Sequence, residues 1–129
     1  MLVPNRMLSR LETEWISGVL ILVVSLAATW AFAPDLCQFV FQCGCTHLWA
    51  GGMSHCNTHM ANAKHCPWCN AGEGGYALLF LGIALPQAWL SFRPRSWMWP
   101  LRLVAALLAF PVLGVMEAVA LGLISGHWR

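Results

Sequence analysis

The stretch WISGVLILVVSLAATWAFA, Trp15 to Ala33, carries no charged residue over a length that matches one crossing of a lipid bilayer. Two further stretches have the same character: YALLFLGIALPQAWLSF, Tyr76 to Phe92, and LVAALLAFPVLGVMEAVALGLIS, Leu103 to Ser125. Roughly 20 apolar residues of helix span the hydrocarbon, with a usual range of about 17–25. The second stretch is short and is interrupted by Gly82, Pro86 and Gln87. A re-entrant or interfacial helix is its competing reading, although spans hold proline where neighbours re-satisfy the backbone.

The rest of the composition agrees with a membrane protein. The 129 residues are 59% hydrophobic and only 9% charged, where an average soluble domain has about 25% charged residues. Eight Trp against one Tyr suits the membrane–water boundary, where an indole can keep its ring in apolar surroundings and its N–H near polar partners. A net charge of +2 with no run of Lys and Arg gives no footprint for nucleic acid.

The first stretch also reads like a signal peptide: Arg6 and Arg10, an apolar centre, then Ala31-Phe32-Ala33 as a cleavage box. Pro34 directly after the cut is a poor context for cleavage, so a retained anchor is expected. Arg6 and Arg10 precede the first span, and Arg93, Arg95 and Arg102 lie between the second and third. The segment between the first two spans has only Lys64 as a fixed positive charge. The positive-inside rule then puts the N-terminus in the cytoplasm and the long loop outside.

The expected fold is thus an all-α integral membrane protein with three transmembrane helices and a Cys/His-rich extracytoplasmic loop between the first and second, in a bacterial-type inner membrane. Its parts are a cytoplasmic N-terminal segment (1–14), the first span (15–33), the loop (34–75), the second span (76–92), a cytoplasmic turn (93–102), the third span (103–125) and a short tail (126–129).

The loop holds the chemistry. All six cysteines lie between Cys37 and Cys69, and four of the five histidines lie there too. The groups are Cys43-Gly-Cys45-Thr-His47, His55-Cys56-Asn-Thr-His59 and His65-Cys66-Pro-Trp-Cys69, while Cys37 stands apart, just past the first span. Cys56, His59, Cys66 and Cys69 form two short-spaced pairs of soft or borderline ligands. Two residues between ligands let one turn aim both side chains at a single ion, which suits tetrahedral zinc; all-thiolate sets also hold iron–sulfur clusters. Cys43, Cys45 and His47 alternate, so in an extended segment all three face one way and can complete that site or start another. Met53 and Met60 keep copper open.

Cys66-Pro-Trp-Cys69 resembles the Cys-Pro-x-Cys knuckle of zinc ribbons and rubredoxin-like sites, with Asn70 where a Gly usually follows. The resemblance covers about five residues and implies a metal-gripping turn rather than a family. Two other readings stay open. Six cysteines in an oxidising compartment can form a stapled loop, which leaves the four histidines without a role. A Cys-x-x-Cys beside a membrane span is also similar to quinone-linked disulfide-forming proteins and vitamin-K-epoxide-reductase-like proteins, which implies a thiol–disulfide oxidoreductase using Cys66 and Cys69. Those proteins usually have four spans, one more than is read here. Cys69 is followed by Asn70 rather than His, which argues against covalent haem, and neither a zinc-protease His-Glu-x-x-His nor a phosphate-binding glycine loop occurs.

In the third span Glu117 calls for a partner, because a carboxyl group is expensive there. Gly114, Ala118 and Gly122 repeat at the small-x3-small spacing that lets another helix approach, and with Glu117 beside them they read as a docking face for other integral membrane subunits. His127 near the tail is a further possible ligand or an interfacial residue. Together these features point to a small, non-catalytic metal-binding subunit of a larger membrane complex, with zinc first and an iron–sulfur cluster or copper as alternatives. The rivals are the oxidoreductase and a metal-handling membrane protein.

Overall fold

A computed structural model of the chain describes residues 5–43, 66–93 and 96–128. Three long helices and one short one make up the described part, which contains no strand. They are α1 (Asn5–Phe41), α2 (Pro67–Asn70), α3 (Gly72–Phe92) and α4 (Trp99–Ser125). Helices α1 and α4 run in the same direction, with α3 antiparallel between them in the chain. Thus Glu14 near the start of α1 pairs with Arg102 near the start of α4, while Phe41 at the end of α1 stacks on Trp128 beyond the end of α4.

By length and composition, α1 over Glu12–Phe41 and α4 over Trp99–Ser125 can each cross a membrane; in α3 the apolar stretch, Ala77–Phe92, is shorter. All three proline-bearing helices stay helical through Pro34, Pro86 and Pro111. The first of these changes the expected boundaries. Instead of ending at Ala33, α1 continues for two more turns, so residues 34–41 belong to the helix rather than to the loop. A proline removes one backbone hydrogen bond but leaves the rest of the ladder intact. The apolar row that supports the extension is Ala33, Leu36, Cys37 and Phe41, all buried at helical spacing. The presumed cleavage box Ala31-Phe32-Ala33 therefore lies inside a continuous helix. Helix α1 begins at Asn5, ten residues ahead of the expected span, and α3 at Gly72 and α4 at Trp99 each begin four residues ahead, because an apolar span does not set where its helix starts.

Polarity is arranged inside out. Trp15, Leu20, Val23, Trp30, Leu85, Trp89, Leu108, Val112, Met116 and Ile124 are all exposed, whereas Ser25, Thr29, Gln87, Ser91 and Arg102 are buried. An apolar exterior of this extent marks a surface that meets lipid or another protein.

The buried polar groups stitch the bundle together. The Gln87 amide, fully buried in α3, donates to Thr29 Oγ1 in α1 at 2.9 Å and to the Ala106 carbonyl in α4 at 3.1 Å. Thr29 passes its own proton to the Ser25 carbonyl at 3.0 Å. One turn further on, Ser91 donates to the Gln87 carbonyl at 2.7 Å. Arg102 then reaches Glu14 Oε2 at 2.9 Å and Ser17 Oγ at 3.4 Å. One side chain, Gln87, thus holds all three long helices at the same height. Around it the helices close over small residues: Gly18 makes room for the Phe92 ring, and Gly114 for Leu36.

Gln87→Leu keeps the volume and removes the amide that joins α1 to α4. It is expected to lower stability by about 1 to 2 kcal/mol, measured as a shift in thermal or denaturant unfolding in detergent. Gln87→Glu, which replaces the donating NH2, is expected to be worse than Leu.

Candidate metal centre

At the far end of the bundle, away from Arg102, three sulfurs meet. Cys37 is carried on the last turns of α1, Cys43 follows that helix, and Cys66 stands directly before α2. Their Sγ atoms all lie within 4.8 Å of one another. Cys37 is central, 3.2 Å from the Cys43 sulfur and 2.7 Å from the Cys66 sulfur. Cys37 and Cys43 are 2% exposed and Cys66 is 0% exposed.

Each thiol arrives by a distinct backbone device. Cys37 follows Ala33 by one turn of α1, and so faces the bundle because Ala33 does. Cys43 is turned back by Gln42, which takes a left-handed conformation with φ 50° while its N–H bonds the Gln38 carbonyl at 2.9 Å. This is the usual way to end a helix and reverse the chain, though glycine more often fills the position. Cys66 is fixed by the turn it opens, in which its carbonyl accepts from Asn70 N–H at 2.9 Å and the Pro67 carbonyl from Ala71 N–H at 3.1 Å. Trp68, two residues into that turn, is fully buried and meets the Phe41 ring edge-on at 5.3 Å. Gly75 of α3 lies so close to Trp68 that a side chain there would strike its carbonyl, which presses α2 onto α3.

The donor set fits a soft ion. As thiols the three hydrogen-bond to one another; deprotonated, they would form a soft donor set whose charge a bound cation could neutralise. Zinc holds thiolates at about 2.3 Å, which sets sulfurs around one tetrahedral ion about 3.8 Å apart. Cys37 and Cys66 must then part by about 1 Å to admit it, a small side-chain adjustment.

Of the seven ligands expected from spacing, Cys43 and Cys66 are in this cluster. Cys69 follows Cys66 within the α2 turn; its side chain, together with Cys45, His47, Cys56 and His59, lies outside the described residues. Cys37, set apart in the sequence reading, is the residue that joins the other two. Its signal was available in the apolar helical spacing that continues past Pro34. His127 is not part of the cluster: its ring stands edge-on to Phe41 at 5.1 Å.

The small-residue face of α4 is filled by the chain itself. Gly114 lies under Leu36 of α1, Ala118 is buried in the same core as Cys37, and Gly122 lies under the Trp128 ring. The spacing defines a close approach but not who approaches, and at these positions Leu36 and Trp128 of the same chain lie against the face. Glu117, beside that face, sits against Gly82 of α3, where a Cβ would overlap its Oε1; its Oε2 is buried without a hydrogen-bond partner among the described residues.

Compared with known proteins, the chain matches no family model, no curated protein and no solved structure.

The Gln42 turn gives a direct check on this geometry. A non-glycine residue in the left-handed region costs about 1 kcal/mol or more, and a β-branched residue is the least tolerated. Gln42→Gly is expected to raise the thermal midpoint of the purified protein, and Gln42→Val to lower it while making Cys43 react faster with maleimide.

Proposed function

We propose that this chain is an integral membrane protein whose buried cysteine cluster holds a structural metal ion, zinc foremost, and that it serves as a non-catalytic accessory subunit of a larger membrane complex. The observation that carries the reading is the convergence of Cys37, Cys43 and Cys66, from three separate places in the sequence, into one buried set of sulfurs.

The metal's task on this reading is to tie the end of α1 to α2. That short helix has four residues, too few for stability of its own, and a metal bond through Cys66 would fix it against α1. Where ligands come together only in the folded chain, metal-binding free energy becomes folding free energy. A fourth ligand is available by spacing alone, since Cys45 follows Cys43 by two positions and Cys69 follows Cys66 by three. A site completed by sulfur suits zinc or an iron–sulfur centre, and one completed by His or Met leaves copper open.

The membrane reading is supported by the two long apolar helices and by an exterior of large apolar side chains over a polar interior. Orientation follows the positive charges: Arg93 and Arg102 belong to the end opposite the cysteines, so the metal site and the C-terminus would face outward. Because the Gly114–Gly122 face is used within the chain, a neighbouring subunit would meet α4 on its other side, along Leu108, Val112 and Met116. Burial also favours a structural site over a Cys66/Cys69 oxidoreductase, because a reacting thiol has to be reached by its substrate.

Elemental mass spectrometry of the protein purified from its native membrane tests this. About one zinc per chain is expected, falling to a small fraction in Cys37→Ser, Cys43→Ser and Cys66→Ser alike. Full metal retention in all three variants, or a metal-free wild-type protein, would overturn the assignment.

A further inference from the structure

The C-terminal tail is placed with more care than a frayed end needs. Helix α4 stops at Gly126, whose φ of 68° is left-handed. Its N–H bonds the Leu123 carbonyl at 3.3 Å, and the N–H of His127 bonds the Gly122 carbonyl at 3.0 Å. This pair of reversed bonds is the glycine stop that folds a chain back over its own helix. A second glycine serves the same end: Gly122 leaves a notch filled by the six-membered ring of Trp128, which any Cβ would strike.

From that notch Trp128 stacks on Phe41, with ring centroids 5.8 Å apart and planes 16° from parallel. His127 supports the stack edge-on to both rings, at 5.1 Å from Phe41 and 5.9 Å from Trp128. Phe41 in turn meets Trp68. Trp128 is half exposed, Phe41 is 2% exposed and Trp68 is 0% exposed. The column therefore runs from the surface into the core that contains the three cysteines. Phe41 precedes Cys43 by two residues and Trp68 follows Cys66 by two, so both inner rings belong to turns that carry a cysteine.

We infer that Trp128 is a positioning residue for the cysteine site: seated over Gly122, it holds Phe41 and Trp68 in place and so limits opening of the turns that present Cys43 and Cys66. This rests on the reading of the cysteines as a metal site for the ion it retains, but the limit on opening is a property of the chain itself. Trp128 stacks on Phe41 and acts through the two inner rings. Its effect is on the rate at which metal leaves and thiols become reachable, because local opening governs both.

The test uses the full chain in detergent, loaded with zinc, and follows transfer of the metal to a chromogenic chelator. In parallel, N-ethylmaleimide labelling of Cys37, Cys43 and Cys66 is timed in metal-free protein by peptide mass spectrometry. Losing the Trp128 stack is expected to speed both processes about tenfold. Trp128→Ala should show this, and Gly122→Ala, which expels the ring from the other side, should show the same. Trp128→Phe, which retains a stacking ring, should stay close to wild type.

Wild-type rates in both Trp128→Ala and Gly122→Ala would overturn the inference, as would rates in Trp128→Phe equal to those in Trp128→Ala. If the wild-type chain takes up no zinc, the metal assignment fails, and the labelling rates alone still decide the role of Trp128. Should Trp128→Ala fail to fold, Gly122→Ala supplies the same comparison with the ring still present.

Discussion

The sulfurs of Cys37, Cys43 and Cys66 can meet only because α1 remains helical through Pro34. Two further turns of helix carry Cys37 and Phe41 beyond the proline and place them over α2 and the end of α4. Had the helix stopped at Ala33, Cys37 would belong to a loop and the Gln42 turn that presents Cys43 would have no Gln38 carbonyl to bond. The missing N–H of one proline costs a single hydrogen bond, and the buried row Ala33, Leu36, Cys37 and Phe41 offsets it. Leu36 shows how far this reaches, because it packs on Gly114 and so locks the extended end of α1 to α4.

The two ends of the bundle are held by different physics. Toward Arg102 the helices are joined by polar side chains that have no water to turn to, with Gln87 satisfying groups on α1 and α4 at once. Toward the cysteines they are joined by close packing over glycine and alanine, by stacked rings and, on the proposed reading, by a metal. On the proposed membrane reading, such a division suits a chain whose outer surface offers no hydrophobic reward for association, since lipid is as apolar as leucine. Interior polarity and small residues then supply specificity that a soluble core would obtain from apolar burial.

Much of this was legible in the sequence, and what was missed has identifiable causes. The apolar segments announced the three long helices, because so little charge over such lengths has few other meanings. Cys43 and Cys66 stood out by their crowding with other ligands. Cys37 did not, because Pro34 reads as a stop signal and the row that overrides it is spread over two turns. Gln87 looked like an interruption of an apolar span, when it is the residue that ties the span to both neighbours; the sequence offers Thr29 and Ser25 but not their distance from it. The spacing of Gly114, Ala118 and Gly122 points to a place of close approach, but spacing alone cannot say that Leu36 and Trp128 of the same chain lie there. The seating of Trp128 over Gly122 was not read from the sequence, because it appears only when α1 and α4 are side by side.

The measurement that bears most directly on the central claim is X-ray absorption at the zinc edge of the protein purified with its native metal. A cluster built on Cys37, Cys43 and Cys66 predicts at least three sulfur neighbours at about 2.3 Å around each ion. A first shell dominated by nitrogen and oxygen would contradict it, placing any metal on histidines elsewhere in the chain and leaving the three buried sulfurs a purely packing role.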